Sequence, residues 1–576
     1  MSITIDNSDN RSSWLHDLKT LSLRDPSDVM NPDRLGAMQQ TRISFVRTLL
    51  RKISREQWQL NKQSWCISDE GYGHAIYRLT TNNGVYHLVV FCDQIADEDR
   101  NDRVIAERWD VAFCLVLGEV PDDLLQQLHA NIPLQEAGRN CNKVIVLARA
   151  NKSVRVFEHI VERLASGKQP SPEVLAQVGY ILRTTAVYGN GKFGIHDFKP
   201  LEKTIDFGQS FSAQMCAVYL LRQFSLDWVE FLAKVRGGDK AVSLHPKLQR
   251  YLGVGNATGL GMAPYLINHP SIVDQWLTAR EHALATVLDE RIEASKLILL
   301  QGYLRRAVQH LQQVVTINEA QQQKNEIAVL ELDTLLQHLE STASKLGTWR
   351  ELLKLYQYLS FEAQEVLIAC LMELYPEKVD IFESFMNTDE TMEVPLGKKV
   401  EDIISILENR YQWAIYTDFN EPQNIYWFWY RSEDKEEPRL GIRGVEQGTE
   451  KELPLDIGRQ VLNLYLALQQ ADSEQKLSEF ILENPKYRGI IRRVWNMGNK
   501  LMGDIQMNVL HKEALPMNLL RCKLSMFGAT KFDPRSDRWV RITLFQGAPL
   551  FNEVHEGEWL FPLLPTEEEI QQGLEI

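Results

Sequence analysis

A histidine and an aspartate, His196 and Asp197, stand side by side in the glycine-rich segment RTTAVYGNGKFGIHDF, residues 183–198. Histidine is the natural general base near neutral pH, so this pair is the candidate for proton transfer in a reaction. The alternative is a surface histidine next to an aspartate, because adjacent residues in a loop need not face each other. The pair predicts catalysis only if both side chains project into a pocket.

The same segment carries candidate ligand-binding residues, namely Gly189, Asn190, Gly191 and Lys192. Glycines leave backbone N–H groups accessible, and such groups beside a cation can hold an anion. The preceding stretch, 172–188, is expected to be helical. The glycines therefore have a second interpretation, as the turn that ends this helix.

The GNG triplet in this segment resembles the loop of Fic-type AMP transferases. The histidine of that family would fall at Thr184 and its closing arginine at Ile195. Without the histidine there is no base to activate an incoming hydroxyl. The resemblance is therefore restricted to the glycine turn.

A second glycine-rich segment, RYLGVGNATGLGMAPYLINHP, covers residues 250–270 and adds Asn256, Thr258 and Gly259 as candidate ligand-binding residues. Its GxxxGxG spacing is similar to that of short-chain dehydrogenases, in which the glycines precede a helix that receives a pyrophosphate. The residues before it, HPKLQRYL, are not an apolar strand, so a dinucleotide site of that type is not expected. Small residues at alternate positions also fit close packing against a neighbouring backbone.

The stretch 211–235 is apolar on nearly every side and predicts a central, buried helix. Arg222 lies in its middle, and a buried arginine needs an anionic partner. Asp227 or Glu230 could be that partner, or a ligand carboxylate or phosphate. Because the two glycine segments flank this helix in the sequence, we expect them to meet at one of its ends and form a pocket.

The patterns predict a mixed α/β, α-rich fold. Residues 1–166 are expected to form an N-terminal α/β unit, with a hairpin at 74–92 and further strands at 109–118 and 143–150. Residues 167–386 predict a central, all-helical domain that carries both glycine segments. Residues 387–576 are expected to form a C-terminal α/β unit, with strands at 412–419, 424–432, 438–444 and 538–545.

Composition excludes several classes of protein. The net charge of −14 over 576 residues argues against a general nucleic-acid binder. There is no apolar run of membrane-spanning length and no signal-peptide pattern, and the seven scattered cysteines suggest buried free thiols. We therefore expect a soluble, cytoplasmic, multidomain protein without membrane contact. No metal-ligand motif, GxSxG or P-loop motif occurs, and no cofactor is identified.

Two classes of function remain. In the first, the chain is an enzyme acting on a small anionic metabolite bound at the paired glycine segments, with the reaction unspecified. Lys192 and Arg222 would neutralise charge and His196 would move protons. In the second, the chain is a non-catalytic interaction or regulatory protein whose helical middle presents a partner-binding face. The sequence leaves a protein partner or a homo-oligomer open.

Overall fold

A computed structural model of the chain describes residues 21–96, 109–131, 143–184, 186–187, 205–209, 211–259, 266, 269–314, 316, 318–386, 392–421, 428–431, 438–441, 457–504, 515–529, 531–534, 539–554 and 559–572. The strands within these ranges are β1 (Gln59–Ile67), β2 (Gly73–Thr80), β3 (Val85–Cys92), β4 (Val111–Leu117), β5 (Val144–Lys152), β6 (Tyr180–Thr184), β7 (Gly253–Gly259), β8 (Phe428–Arg431), β9 (Pro438–Gly441), β10 (Lys531–Pro534) and β11 (Trp539–Leu544).

The α-helices within the same ranges are α1 (Pro26–Val29), α2 (Pro32–Ala37), α3 (Phe45–Arg55), α4 (Asp122–Asn131), α5 (Phe157–Ala165), α6 (Pro172–Val178), α7 (Ser212–Gly237), α8 (Pro246–Tyr251), α9 (Pro270–Leu288), α10 (Ala294–Gln313), α11 (Glu319–Ala343), α12 (Trp349–Leu355), α13 (Phe361–Glu373), α14 (Pro376–Val379), α15 (Val400–Arg410), α16 (Gln412–Ile415), α17 (Ile457–Leu468), α18 (Leu477–Glu483), α19 (Arg488–Gly498), α20 (Leu515–Phe527) and α21 (Glu567–Gln572). The fold is therefore mixed α/β and α-rich.

Nine of the strands described form one sheet, in the order β1-β2-β3-β4-β5-β6-β7-β11-β10. Neighbouring strands are antiparallel except β6 and β7, which run parallel. The predicted hairpin is confirmed, since β2 pairs with β3 and Thr80 lies opposite Val85 across the Asn-Asn-Gly turn. The strands predicted at 109–118, 143–150 and 538–545 are β4, β5 and β11.

Helices cover both faces of this sheet. Ile76 and Tyr77 are consecutive in β2 and therefore point to opposite faces. Ile76 packs in an apolar cluster with Leu124 and Leu128 of α4. The Tyr77 hydroxyl instead donates to Asp227 of α7, with an O···O distance of 2.7 Å. The predicted long buried helix is confirmed as α7, most of whose side chains are buried.

Three sequence predictions are wrong. The stretch 172–188 is not one helix, because α6 ends where Gly179 takes the left-handed conformation (φ 74°) and β6 follows. Residues 412–415 form α16 instead of a strand, since one helical turn also buries Ala414 and Ile415. The centre of the chain is not all-helical, because β6 and β7 belong to the large sheet.

Contacts group the chain into two compact units. The first unit comprises Met1–Ile43, Leu266–Leu304 and Glu331–Cys522, and the second comprises Ser44–Tyr265, Arg305–Leu330 and Lys523–Ile576. The large sheet belongs to the second unit, and the hairpin of β8 and β9 to the first. The predicted division into 1–166, 167–386 and 387–576 follows the chain in linear order and stays a prediction.

In the first unit, ion pairs hold the N-terminal segment to the helices. The Glu365 carboxylate of α13 accepts hydrogen bonds from Arg24 at 3.0 Å, Arg34 at 3.0 Å and Arg280 at 2.5 Å. Glu281 of α9 accepts from Arg24 at 2.6 Å and from Arg280 at 3.0 Å. Both carboxylate side chains are fully buried. Residues 24–34 are thereby fixed against α9 and α13.

No helix in the described ranges is long and apolar enough to cross a lipid bilayer. The cysteines that the structure describes are free thiols. Five of them are buried, but Cys66 in β1 is exposed, which differs from the expectation that the thiols are buried.

Candidate functional site

The two glycine-rich segments adjoin the one parallel strand pair of the sheet described above. In β6 and β7, Arg183 lies opposite Gly255 and Thr184 lies opposite Asn256. Parallel strands point their carboxyl ends to the same edge of a sheet. Arg183 and Thr184, which begin the first segment, therefore lie beside Gly255 and Asn256 of the second.

Asn256 fixes the chain that leaves β6. Its side chain is buried, with 2% of its surface exposed. The Asn256 Oδ1 accepts a hydrogen bond from the Val187 N–H at 3.4 Å, and its Nδ2 donates to the Val187 carbonyl at 3.3 Å. The Thr184 hydroxyl accepts from the Ala186 N–H at 3.1 Å. Asn256 thus positions the backbone directly before the glycines.

Asp206 fixes the chain that follows the first segment and was missed by the sequence analysis. Its buried carboxylate accepts hydrogen bonds from Thr81 Oγ1 at 2.8 Å, Asn83 Nδ2 at 2.7 Å and the Tyr86 hydroxyl at 2.8 Å. Lys52 donates to the Asp206 carbonyl at 2.6 Å. Burial, together with the Asp206 carboxylate, raises the pKa of Tyr86. No local pattern indicates Asp206, because its partners Thr81 and Asn83 lie at the hairpin turn more than 120 residues earlier.

Arg222 is bound by backbone carbonyls. Its guanidinium, 1% exposed, donates to the carbonyls of Leu252 at 2.7 Å, Arg250 at 2.8 Å, Gln249 at 3.1 Å and Pro549 at 3.1 Å. Burial lowers the pKa of Arg222 to about 10, so the side chain stays cationic at neutral pH. Arg222 therefore holds the end of α8 and the start of β7 in place.

Neither carboxylate that the sequence offered to Arg222 binds it. Asp227 accepts from Tyr77 and pairs with Lys62 at 2.6 Å. Glu230 accepts from the Leu244 N–H at 3.0 Å and from the Gln249 side chain at 3.0 Å. The expected anionic partner is thus replaced by four carbonyl dipoles, which carry partial negative charge.

The glycines at the start of β7 are required for packing. A Cβ on Gly255 would lie 2.7 Å from the Tyr180 ring, and a Cβ on Gly253 would lie 2.3 Å from the Leu544 carbonyl oxygen. Gly255 and Gly259 lie within the strand, unlike the glycines of a dinucleotide-binding turn. Close packing therefore accounts for Gly253 and Gly255.

Most of the predicted site residues lie outside what the structure describes. These are Gly189, Asn190, Gly191, Lys192, His196 and Asp197. Of Thr258 and Gly259 only the backbone is described, and it pairs with Val540 and Trp539 of β11. Arg222 and Asn256 are fully described, and both bind backbone groups.

Neither similarity to known proteins nor a metal centre among the described residues indicates the function of this chain. Comparison with family models, with curated proteins and with solved structures finds no match to this chain. Among the described residues, no group of three or more His, Cys, Asp or Glu side chains is arranged to hold a metal ion.

Proposed function

We propose that this protein is an enzyme that acts on a small anionic metabolite, bound where the segment after β6 meets the segment of β7. The parallel pairing of β6 with β7 is the observation that carries the proposal. In sheets with parallel strands, ligands bind preferentially beyond the carboxyl ends of those strands. Both glycine-rich segments adjoin this edge.

Anchoring on both sides of residues 188–204 supports the same proposal. Asn256 holds the chain at Val187, and the hairpin turn holds it at Asp206. A binding segment whose two ends are fixed loses less conformational entropy when a ligand binds. Gly189, Gly191 and Lys192 are proposed to bind the anion, and His196 with Asp197 to transfer protons.

In this proposal Arg222 positions the backbone and does not neutralise the charge of the ligand. Four carbonyls already accept from its guanidinium, so we assign it to positioning and not to ligand contact. It fixes the backbone of residues 249–252, from which β7 begins. Asn256 is a positioning residue in the same sense, because it binds the backbone of Val187.

Native mass spectrometry of gently purified protein, compared with the denatured mass, is the first test. A retained small anion identifies the ligand class, and its affinity is then measured by isothermal titration. Lys192→Ala and His196→Ala are expected to abolish binding while the melting temperature changes by less than about 2 °C. The matched controls are Lys168→Ala and His338→Ala, which alter exposed side chains.

Two outcomes contradict the proposal. In the first, Lys192→Ala and His196→Ala leave the affinity for the retained anion unchanged. In the second, the chain carries no small molecule and co-purifies stoichiometrically with another protein, which favours the interaction or regulatory function.

A further inference from the structure

The first unit contains a cleft of about 210 Å³ between the start of α1, the end of α15 and the turn after α19. Its floor is formed by buried side chains, and its rim carries two exposed charges. The floor residues are Tyr411, Met497, Met502 and Asp504, and the rim charges are Asp25 and Arg410.

The one charge on the floor is already paired. Arg493 donates to Asp504 through Nε and Nη2, each at 2.7 Å. The Tyr411 hydroxyl donates to the same carboxylate at 3.3 Å. Met497 exposes none of its surface and Met502 exposes 4%, so Met502 supplies the polarisable, apolar contact beside this ion pair. A charged ligand in the cleft must therefore be neutralised by the rim.

The guanidinium of Arg410 is anchored through one of its three nitrogens, and the other two are available to a ligand. Its Nη2 donates to the carbonyls of Lys500 at 2.6 Å and Leu501 at 3.2 Å. Its Nε and Nη1 have no acceptor among the residues that the structure describes. Gly503 lines the cleft beside Arg410 and takes φ 74°, a conformation that favours glycine. The guanidinium is thus held in place with free donors.

Asp25 is likewise held in place with a free acceptor. Its Oδ1 accepts from the Ser27 N–H at 2.8 Å and the Ser27 hydroxyl at 2.6 Å, whereas no described group donates to its Oδ2. The Ser27 hydroxyl and N–H lower the pKa of this carboxyl, which is therefore ionised at neutral pH. The preceding residue, Arg24, is fixed by Glu281 and Glu365.

Asp25 and Arg410 line the same small cleft, yet they form no ion pair with each other or with another described residue. Two opposite charges held apart in this way are complementary to a ligand that carries both charges. The cleft is smaller than sites for drug-sized ligands, which occupy roughly 300–1,000 Å³, so it suits a smaller metabolite.

We propose that this cleft binds a free α-amino acid with an aliphatic or thioether side chain. The ligand carboxylate binds the free donors of Arg410, and the ammonium group binds Oδ2 of Asp25. The ligand side chain packs against Met502. The residues of the cleft belong to the first unit. The first glycine-rich segment, and the second as far as Tyr265, belong to the second unit. This proposal therefore does not depend on the proposed function.

Isothermal titration of the full chain with L-leucine tests the proposal. Leucinamide lacks the carboxylate and isocaproate lacks the ammonium group, so each analogue loses one of the two charged contacts. We expect each analogue to bind about tenfold more weakly than L-leucine, which corresponds to 1.4 kcal/mol. Absence of binding by L-leucine, L-valine and L-methionine at millimolar concentration overturns the proposal.

Two variants assign the contacts to residues. Asp25→Asn is expected to weaken L-leucine binding about tenfold and leave isocaproate binding unchanged, because isocaproate has no ammonium group. Arg410→Gln is expected to weaken L-leucine binding and leave leucinamide binding unchanged. Asparagine caps helices as well as aspartate does, so α1 is retained in the first variant.

The controls are Asp239→Asn and Arg492→Gln, which alter exposed charges outside the cleft and are expected to leave all three affinities unchanged. Equal weakening of L-leucine and isocaproate by Asp25→Asn overturns the proposed orientation and with it the proposal. Lys192→Ala, which tests the proposed function, is expected to leave L-leucine binding unchanged, so the two proposals fail separately.

Discussion

In the first unit, arginines surround a buried carboxylate, whereas in the second unit carbonyl oxygens surround a buried arginine. Burial alone would raise the pKa of Glu365, yet the guanidiniums of Arg280, Arg24 and Arg34 lower it to about 2. Burial lowers the pKa of Arg222 to about 10, because the charge of the Glu553 carboxylate only partly offsets the loss of solvation. The two sites differ in whether a carboxylate accepts hydrogen bonds directly from the guanidinium.

This difference determines how each site responds to substitution. A buried ion pair that loses one partner leaves an uncompensated charge in the interior. A guanidinium held by several carbonyls interacts with dipoles, and its removal leaves neutral groups with fewer donors. The first unit should therefore be more sensitive to the loss of one charged side chain than the second.

The largest expected effect is that of Glu365→Ala. The substitution leaves Arg24 and Arg280 with Glu281 and leaves Arg34 with Asp28, so the free energy of unfolding should fall by about 3–5 kcal/mol. Urea denaturation measures this change. Glu377→Ala, at an exposed position, is the control and should stay within about 0.5 kcal/mol of the wild type. A loss below about 1 kcal/mol for Glu365→Ala would contradict the role given to the ion pairs.

Arg222→Met is expected to have a somewhat smaller effect. It keeps an apolar side chain of similar length but removes a donor from four carbonyls, at a total cost of about 2–4 kcal/mol. The Arg250 carbonyl keeps the Gly547 N–H as a donor and the Pro549 carbonyl keeps the Tyr219 hydroxyl, so the cost falls on the carbonyls of Gln249 and Leu252. The control is Arg236→Met on the same helix, which breaks only the exposed pair with Glu158 and should cost less than about 1 kcal/mol. If both variants unfold at the same urea concentration, the carbonyl contacts do not stabilise the fold.

Acid should weaken the first unit through Glu365. The pKa of Glu365 is about 2 in the folded chain and near 4.5 in the unfolded chain. Its contribution to the free energy of unfolding is therefore complete above pH 4.5 and is lost as the pH falls towards 2. At about pH 3 the loss amounts to about 2 kcal/mol. Arg222 does not titrate in this range. Urea denaturation from about pH 6 to pH 3 should therefore show a steeper decline for the wild type than for Glu365→Gln; parallel declines would exclude this linkage.

The smallest expected effect is that of Asn256→Ala, which removes two long hydrogen bonds to the backbone of Val187 and should cost about 1 kcal/mol. Hydrogen exchange of the Val187 amide should accelerate, since its described acceptor is gone. The control is Asn61→Ala, at an exposed position in β1. Unchanged protection of the Val187 amide would show that Asn256 does not position this segment.

The sequence predicts the parts of the fold that local patterns specify. The alternation in 74–92 and its Asn-Asn-Gly turn define a hairpin, and the uniformly apolar stretch 211–235 defines a buried helix. β7 was not predicted, because glycine disfavours strands in isolation and this strand is defined by its pairing with β6 and β11. Tertiary contacts of this kind have no local signature.

The sequence identifies residue types that could form a site, but it does not predict which groups those residues contact. Asn256 was selected as a ligand-binding residue, but in the structure its amide binds the Val187 backbone. The carbonyl partners of Arg222 come from main-chain groups, which every residue has, so no sequence pattern identifies them. Asp206 has no motif around it, and its role depends on a turn more than 120 residues earlier.

The order of strands in the large sheet has a consequence for the time course of synthesis. β11, the outer partner of β7, is made about 280 residues after it. At translation rates of about 5–20 residues per second, the edge of β7 is exposed for tens of seconds on the ribosome. An unpaired strand edge is a template for pairing with other chains. The edge of β7 therefore stays open to pairing with other chains until β11 has been made.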